Sequence, residues 1–488
     1  MKKVNWLQYL KRLITLRGAP NYLRLNLLFL VFAYGLGIFP SFIWNEEYPG
    51  ILDPYSYSLD QFRDGRPIYG ITTQIFLGIA QLTGLLWPYR LFGFIGFVCW
   101  ALYISRTIQG TEFENKTEIT FASLIAFTLP AFQTLVNSGN LAIYSWSSLI
   151  ACIAYTHLSH KRYSKALILV VVSLLMYPVS TLFIFSFAFL SIFLSKKPSK
   201  LDFILGIKRV LLLLLAGGVI SSLIAFAILK YFFGIPPTSR VGIVSLSEFA
   251  TNLEFFVTRF VPTNASLFIY SSHSTQSAVL VTLVFIFLIT LMWRTKFTHP
   301  ERDLTSLIFL FIYSFFACSI SLFAKSREID VRFIRNSTWL LCIFLVYKFL
   351  VVLKYWGLGN RILKVTPAAM VILALFSITE SNYRYFYFFK TPYDQKTAFI
   401  NRELNQCSLE QITNGVNVRM PIEDFPRHNN IGTYSLKTDL SQNWVPLANV
   451  TLLGNAKAGI EVVVNFEGDI SEKNANRKCL VDLSKYRP

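Results

Sequence analysis

Long apolar runs that carry almost no charge recur through the first 378 residues, and they constrain the fold more than any other feature. A helix needs about 20 consecutive apolar residues to cross a bilayer. We count eleven candidate spans, at residues 24–44, 88–105, 118–136, 142–158, 165–178, 179–195, 210–229, 278–293, 304–323, 338–353 and 362–378. The sequence therefore predicts an all-α polytopic membrane protein with about 11 transmembrane helices.

Composition and charge agree with a membrane protein. Only 15% of the 488 residues are charged, whereas soluble domains carry roughly 25%. The net charge is +19, which in a soluble protein would suggest a nucleic-acid partner. With the N-terminus in the cytoplasm, 22 basic residues fall in the predicted inner segments and 10 in the outer loops. Because basic residues favour cytoplasmic loops, we expect that orientation and no nucleic-acid partner.

Two segments decide how the spans connect. The fifth and sixth spans meet at Tyr177-Pro178, and we predict a tight hairpin there because proline disfavours a continuous helix. The segment 68–86 is apolar enough to be read as a further span, which would reverse the orientation of everything after it. We interpret it instead as a helix lying at the outer membrane surface. The odd span count then places the C-terminus outside.

From residue 379 the composition changes to that of a soluble domain, with 13 basic and 12 acidic residues up to residue 488. Alternating patterns at 417–420 and 460–464 predict short strands, and 394–406 reads as a helix. We therefore divide the chain into a transmembrane domain, 1–378, and a C-terminal α+β domain, 379–488. Cys407 and Cys479 fall in the second domain, where a disulfide and two buried free thiols are both open interpretations.

Candidate chemistry concentrates in the first outer loop, 45–87. The loop combines tyrosines with charged side chains, of which we select Glu46, Glu47, Asp53, Asp64 and Arg66. Aromatic rings stack on sugar faces, carboxylates accept hydrogen bonds from sugar hydroxyls, and a carboxylate can act as a general base. The alternative is a solvated acidic loop, in which Asp64 and Arg66 pair to shape the turn before the surface helix.

A second cluster of charge lies in the outer loop 324–337, which includes Arg332 and Arg335. Arginine binds phosphate oxygens bidentately, so this loop suits a lipid phosphate as leaving group. The alternatives are lipid headgroup binding and pairing with Glu328 and Asp330. The long outer loop 230–277 suits a second surface helix or a flap over substrate. The sequence shows no metal-ligand spacing, and its spans lack the carboxylates typical of ion-coupled transporters.

Several of these motifs together resemble the serotype-converting O-antigen glucosyltransferases of enteric bacteria and their phages, the glucosyltransferase II-like group. The resemblance depends on Trp44-Asn45-Glu46-Glu47 after the first span, on Asp64-Gly65-Arg66-Pro67 before the surface helix, on Tyr177-Pro178, and on Arg332 with Arg335 before a late span. Length, odd topology and the outer C-terminal domain extend it over nearly the whole chain.

The resemblance implies a glycosyltransferase of the C-type membrane fold in the bacterial inner membrane, with a cytoplasmic N-terminus and a periplasmic C-terminus. The donor would be glucose on undecaprenyl phosphate and the acceptor a sugar of the lipopolysaccharide O-antigen repeat. Transfer would proceed with inversion at the anomeric carbon and without metal or cofactor. Membrane lipid surrounds such an enzyme, and its other partners would be a transferase that makes the donor and a flippase that moves it.

These expectations assign roles to individual residues. Glu46 is the expected general base, with Glu47 and Asp53 as sugar ligands and Glu47 as the other candidate for the base. Arg332, Arg335 and Arg66 are the expected phosphate ligands, and Tyr177 with Asp64 completes the substrate site. The alternatives are a transferase for another lipid-linked sugar, an O-antigen polymerase or ligase, and a lipid-linked sugar flippase or transporter. A flippase should show charged groups along a central cavity or repeated halves, which this sequence lacks.

Overall fold

The fold was analysed in a computed structural model of the chain. The structure describes residues 21–38, 53–83, 85–129, 132, 142–196, 198–234, 236, 245–254, 258, 300–319, 331–355, 362–386, 391–408, 410–411, 416–420, 462–466 and 479–482. Most of these residues are helical, as an all-α membrane domain requires. The predicted span 278–293, Glu46 and Glu47 lie outside the described residues.

Thirteen helices of ten residues or more follow one another in the described part of the chain. They are α1 (Asn21–Tyr34), α2 (Pro54–Arg63), α3 (Pro67–Thr83), α4 (Trp87–Gln109), α5 (Lys116–Phe127), α6 (Ala142–Ser159), α7 (Tyr163–Met176), α8 (Phe183–Phe193), α9 (Lys200–Ile228), α10 (Pro300–Cys318), α11 (Val331–Tyr355), α12 (Ile362–Arg384) and α13 (Thr391–Asn405). A single helical turn, Pro178–Thr181, precedes α8, and a π-helical turn, Leu229–Phe233, extends α9.

Ten of the eleven predicted spans overlap one of these helices, and the predicted surface helix corresponds to α3. Several boundaries were wrong, of which two change the description of named residues. Helix α9 begins at Lys200, ten residues before the predicted start, because its first turn is closed by a capping box between Ser199 and Asp202. Helix α11 begins at Val331, so Arg332 and Arg335 belong to a helix and not to a loop.

Two helices in the described residues are long and apolar enough to cross a membrane, α4 and the continuous helix Lys200–Phe233. Shorter apolar helices occupy Tyr22–Gly37, Tyr163–Met176, Pro178–Phe193 and Thr305–Cys318. Eleven transmembrane helices therefore stay a prediction, and the helical architecture is what the structure establishes.

Helix α6 packs against α4, α7 and α8, and α11 packs against α5, α10 and α12. Glycine allows the closest of these approaches. A Cβ atom on Gly93 of α4 would lie 2.7 Å from the Cα of Ala142, and one on Gly96 would lie 2.7 Å from the Trp146 indole nitrogen. Small residues that admit a neighbouring backbone are typical of helix contacts in membranes.

The Tyr177-Pro178 step interrupts the helical path as the sequence predicted. Helix α7 ends at Met176, Tyr177 is extended with φ −160° and ψ 105°, and Pro178 opens the next helical turn. The proline lacks the N–H that would continue the α7 hydrogen-bond ladder. Helices α7 and α8 each pack against α6 but not closely against each other, so the predicted tight hairpin was wrong and the feature is a break in the helical path.

The C-terminal segment contains three short strands, β1 (Val416–Met420), β2 (Val462–Phe466) and β3 (Cys479–Asp482). They form a parallel sheet in the order β2-β1-β3, with Val416 paired to both Val462 and Cys479. The sequence predicted β1 and the first part of β2 but did not identify β3. The predicted helix at 394–406 is α13. A disulfide joins Cys407, just after α13, to Cys479 at the start of β3, which decides between the two cysteine interpretations.

Candidate functional site

A pair of stacked tyrosines forms the centre of the candidate site. Tyr144, in the first turn of α6, and Tyr177, at the break after α7, stack with ring centroids 3.6 Å apart and planes 17° apart. Tyr69 of α3 meets both rings edge-on, at 6.1 Å from Tyr144 and 6.2 Å from Tyr177. All three side chains are buried. Helices α3 and α6 and the break after α7 therefore contribute phenolic rings to one cluster.

An arginine lies over the outer face of each ring of this pair. The guanidinium carbon of Arg66 is 4.9 Å from the Tyr177 centroid, and that of Arg335 is 5.0 Å from the Tyr144 centroid. The four side chains form a layered arrangement, Arg66–Tyr177–Tyr144–Arg335, which we call the arginine–tyrosine stack. Cations over aromatic faces are attracted to the ring quadrupole, more strongly where water is excluded. The stack thus holds two positive charges in a largely apolar setting.

The two arginines differ in what surrounds them. Arg66 is 3.7 Å from a carboxylate oxygen of Asp64, donates from Nη1 to Gln61 Oε1 at 3.3 Å, and keeps 27% of its side chain exposed. Asp64 is much less accessible, with 6% of its side chain exposed. Arg335 donates to the hydroxyl of Ser180 and is 1% exposed. Of the two cations, only Arg66 presents surface to an incoming anion.

The Asp64-Gly65-Arg66-Pro67 motif has a local structural cause. Asp64 ends α2, Gly65 adopts a left-handed φ of +77°, and Pro67 opens α3. Glycine is the residue that takes this conformation without strain. The Arg66 amide donates to the Gln61 carbonyl at 2.9 Å, which closes the turn. The pairing of Asp64 with Arg66 that the sequence offered as an alternative does form, and it sits within the tyrosine cluster.

A tight contact between α2 and α3 fixes this turn. The Ser58 hydroxyl donates to the Gly70 carbonyl at 2.9 Å. A Cβ on Gly70 would lie 2.8 Å from the Phe62 ring and 2.9 Å from the Ser58 carbonyl oxygen, closer than such atoms approach in folded proteins. Only glycine at position 70 allows the two helices to lie this close, and their closeness determines where Arg66 emerges.

Buried hydroxyls fix the other side of the stack. Ser147 Oγ is 3.0 Å from Ser173 Oγ and 3.0 Å from the Tyr177 carbonyl oxygen. Thr181 Oγ1 is 2.7 Å from Ser173 Oγ. This network joins α6, α7 and the turn before α8, so it compensates the hydrogen bonds lost at Pro178. It also fixes the backbone that carries Tyr177.

The site borders an apolar surface formed by α9. The Phe62 ring contacts Phe233 at 4.9 Å between centroids, and Gly65 faces Ala225 of α9. Farther along α9, a shallow apolar groove of about 580 Å³ is lined by Leu214, Leu215, Gly218, Val219, Leu223 and Phe226. A charged, aromatic cluster thus lies next to one end of a long apolar helix.

The predicted site residues have different outcomes. Asp64, Arg66, Tyr177 and Arg335 come together in one cluster. The Arg332 side chain, like Glu46 and Glu47, lies outside the described residues. The disulfide between Cys407 and Cys479 belongs to the C-terminal segment.

Asp53 has a local role that the sequence interpretation missed. It is the N-cap of α2, where its carboxylate accepts a hydrogen bond from the Ser56 amide at 3.0 Å. The Ser56 hydroxyl and amide bonds lower the pKa of Asp53. A Ser, Thr, Asn or Asp immediately before a helix is the usual N-cap signal, so the sequence contained the information.

The sequence reasoning also missed Tyr144, Tyr69 and Ser180. Each lies in or beside an apolar helix, where a single tyrosine or serine has no distinctive local pattern. Their importance arises from contacts between helices that are distant in sequence, such as the Ser180–Arg335 hydrogen bond. Within the described ranges, no group of three or more His, Cys, Asp and Glu side chains is placed to hold a metal ion.

Comparison with known proteins identifies no relative. No family model matches the chain, no curated protein matches it, and no solved structure matches it. Functional inference for this chain therefore depends on its own residues and geometry.

Proposed function

We propose that this chain is an inner-membrane glucosyltransferase that moves glucose from undecaprenyl phosphate glucose to a sugar of the lipopolysaccharide O-antigen repeat on the periplasmic side. The observation that carries the proposal is the arginine–tyrosine stack with Asp64 beside it. A partly exposed guanidinium, held among buried tyrosines and next to a long apolar helix, suits the phosphate of a lipid-linked sugar.

Exposed apolar faces support a membrane location. Side chains more than half exposed follow one face of α9, at Leu212, Leu215, Val219, Leu223 and Phe226, and one face of α12, at Val371, Ile372, Leu375 and Phe376. Contiguous apolar surface of this extent is unfavourable in water and favourable against lipid. At 1.5 Å per residue, α9 is about 44 Å long, enough to cross a bilayer with its headgroup regions.

Contacts at the two ends of α9 support the proposed topology. One end contacts the arginine–tyrosine stack region through Phe233 and Phe62. Just before the other end, Lys196 pairs with Glu112 at 3.3 Å, which joins two segments that the sequence predicted to be cytoplasmic. With those segments in the cytoplasm, the proposed topology assigns the stack to the periplasmic side. The Cys407–Cys479 disulfide supports a periplasmic C-terminal segment because disulfides persist in oxidising compartments.

The proposed reaction needs two functions from the protein, a general base and a cation at the leaving phosphate. The acceptor hydroxyl oxygen forms a bond to the anomeric carbon of glucose while its proton passes to the carboxylate of Glu46, with Glu47 as the other candidate. The bond from the anomeric carbon to the phosphate oxygen breaks, and the electron pair leaves with undecaprenyl phosphate. Arg66 stabilises the charge that develops on the phosphate, and Arg332 is a further candidate for that role. Displacement from the opposite face inverts the anomeric carbon.

The test is whether the protein adds a hexose to the O-antigen in cells that also make and flip the lipid-linked glucose. We expect mass analysis to show one added hexose per repeat with the wild type and about 100-fold less transfer with Arg66→Met. Arg63→Met is the matched control, because Arg63 pairs with Asp60 on the exposed side of α2.

Glu46→Gln at matched expression tests the base. Loss of transfer supports Glu46, whereas retained transfer moves the base to Glu47 or Asp53. No hexose gain with the wild type would contradict the proposal and favour polymerisation, transport or another donor sugar.

A further inference from the structure

Arg335 was expected to hold the donor phosphate, yet its surroundings do not fit that role. Its side chain is 1% exposed, donates to Ser180, and lies over the Tyr144 ring. Tyr144 in turn covers the face of Tyr177 opposite to the one that faces Arg66, because a ring 3.6 Å away leaves no room for a guanidinium between them. The two arginines therefore lie on opposite sides of the tyrosine pair.

We propose that Arg335 is a positioning residue, which acts through Tyr144 and Tyr177 to hold Arg66 as the cation that contacts the donor phosphate. The inference rests on the proposed function and assigns different roles to the two arginines of that same site. One guanidinium faces the ligand, and the other supports the aromatic surface on which the first one lies.

Three contacts make Arg66 dependent on this support. Gln61 and Asp64 hold the edge of its guanidinium group at 3.3 Å and 3.7 Å, and Tyr177 supports its face at 4.9 Å. The stacked Tyr177 ring restricts the side-chain rotation that the edge contacts leave. Tyr177 is fixed by Tyr144, and Arg335 fixes Tyr144 from the far side while Ser180 orients Arg335.

A double-mutant cycle distinguishes support from direct contact, since residues that act through one another give non-additive effects. The measurement is equilibrium binding of radiolabelled undecaprenyl phosphate to the full-length protein in detergent. We expect Arg66→Met to weaken binding about 30-fold and Arg335→Met about 10-fold. The double variant should bind no more than about twofold more weakly than Arg66→Met alone. Arg63→Met, the exposed neighbour, should bind like the wild type.

Two further variants keep the test valid if Arg335→Met misfolds. Ser180→Ala removes the hydrogen-bond partner of Arg335 with almost no change in volume, and we expect it to weaken binding about threefold. The same substitution should have no effect on affinity when Arg66→Met is already present. Arg335→Lys keeps the charge but loses the planar group, so it should behave like Arg335→Met. Misfolding lowers the number of binding sites, whereas a positioning role changes the affinity of the sites that are present.

The outcomes separate this inference from the proposed function. If the effects of Arg66→Met and Arg335→Met on affinity multiply, the double variant binds about 300-fold more weakly than the wild type. That result would show that Arg335 contacts the phosphate itself, and it would overturn this inference but not the proposed function. Wild-type affinity in Arg335→Lys would also overturn this inference. A wild type that binds undecaprenyl phosphate with the expected coupling but transfers no hexose would refute only the proposed function. A wild type that does not bind the probe would refute both.

Discussion

Substitution of Gly70 by alanine should disrupt the α2–α3 contact that places Arg66. The added Cβ would meet the Phe62 ring carbons at 2.8 Å and the Ser58 carbonyl oxygen at 2.9 Å. The oxygen belongs to a helical backbone, and the ring packs against Phe233, so neither can yield by a simple rotation. Overpacking of this kind costs about 1–3 kcal/mol. The same substitution also stabilises a helix by about 1 kcal/mol, which offsets part of the loss.

Gly78 of the same helix provides the matched control, since a Cβ there meets no atom within 4 Å. Gly78→Ala gains helix propensity without a clash, so the free energies of unfolding of the two variants should differ by about 1–3 kcal/mol. Chemical denaturation of the purified protein in detergent measures that difference. The donor KM should rise in Gly70→Ala and stay constant in Gly78→Ala. Equal stability of the two variants, within about 0.5 kcal/mol, would refute the close approach of α2 and α3.

Three further predictions test separate features of the structure. Cys407→Ser opens a loop of 72 residues and should destabilise the C-terminal segment by about 4 kcal/mol, which limited proteolysis and non-reducing electrophoresis will detect. Asp53 has a lowered pKa in the folded protein, so its capping contribution to stability is present above its unfolded pKa and is lost as the pH falls through its folded pKa. The protection of α2 against protease should therefore weaken in acid, and Asp53→Ala should remove this pH dependence. Thr181→Val keeps the shape but removes the hydroxyl 2.7 Å from Ser173 Oγ, and should cost about 1–3 kcal/mol in the same denaturation assay.

The sequence predicted those features that have a local cause. Proline lacks the backbone N–H that continues a helix, so the sequence predicted the break at Tyr177-Pro178 at the right residue. Alternation predicted β1 and part of β2, and apolar length predicted α1 and α4 to α12. Helix α2, by contrast, lies in a polar segment that we interpreted as a loop. The four-residue strand β3 is too short for a period of two to stand out from its surroundings.

The sequence predicted only part of the candidate site, because the rest depends on contacts between residues distant in sequence. Asp64, Arg66, Tyr177 and Arg335 were selected individually as charged or aromatic residues at predicted outer ends of helices. Nothing in the sequence indicated that they would stack in order, or that Tyr144 would lie between Tyr177 and Arg335. Burial of Arg335 is a property of the packed bundle, and so the sequence could not distinguish a ligand from a support.

The stack also sets an order in time for the assembly of the site. Arg66, Tyr144 and Tyr177 are synthesised in the first part of the chain, whereas Arg335 arrives with α11. If the chain is the proposed membrane transferase, a nascent chain with only its earlier helices inserted would hold two stacked rings with the Tyr144 face uncovered. The proposed binding surface would then be completed late in biogenesis, and we expect chains truncated before α11 not to bind a lipid-linked ligand.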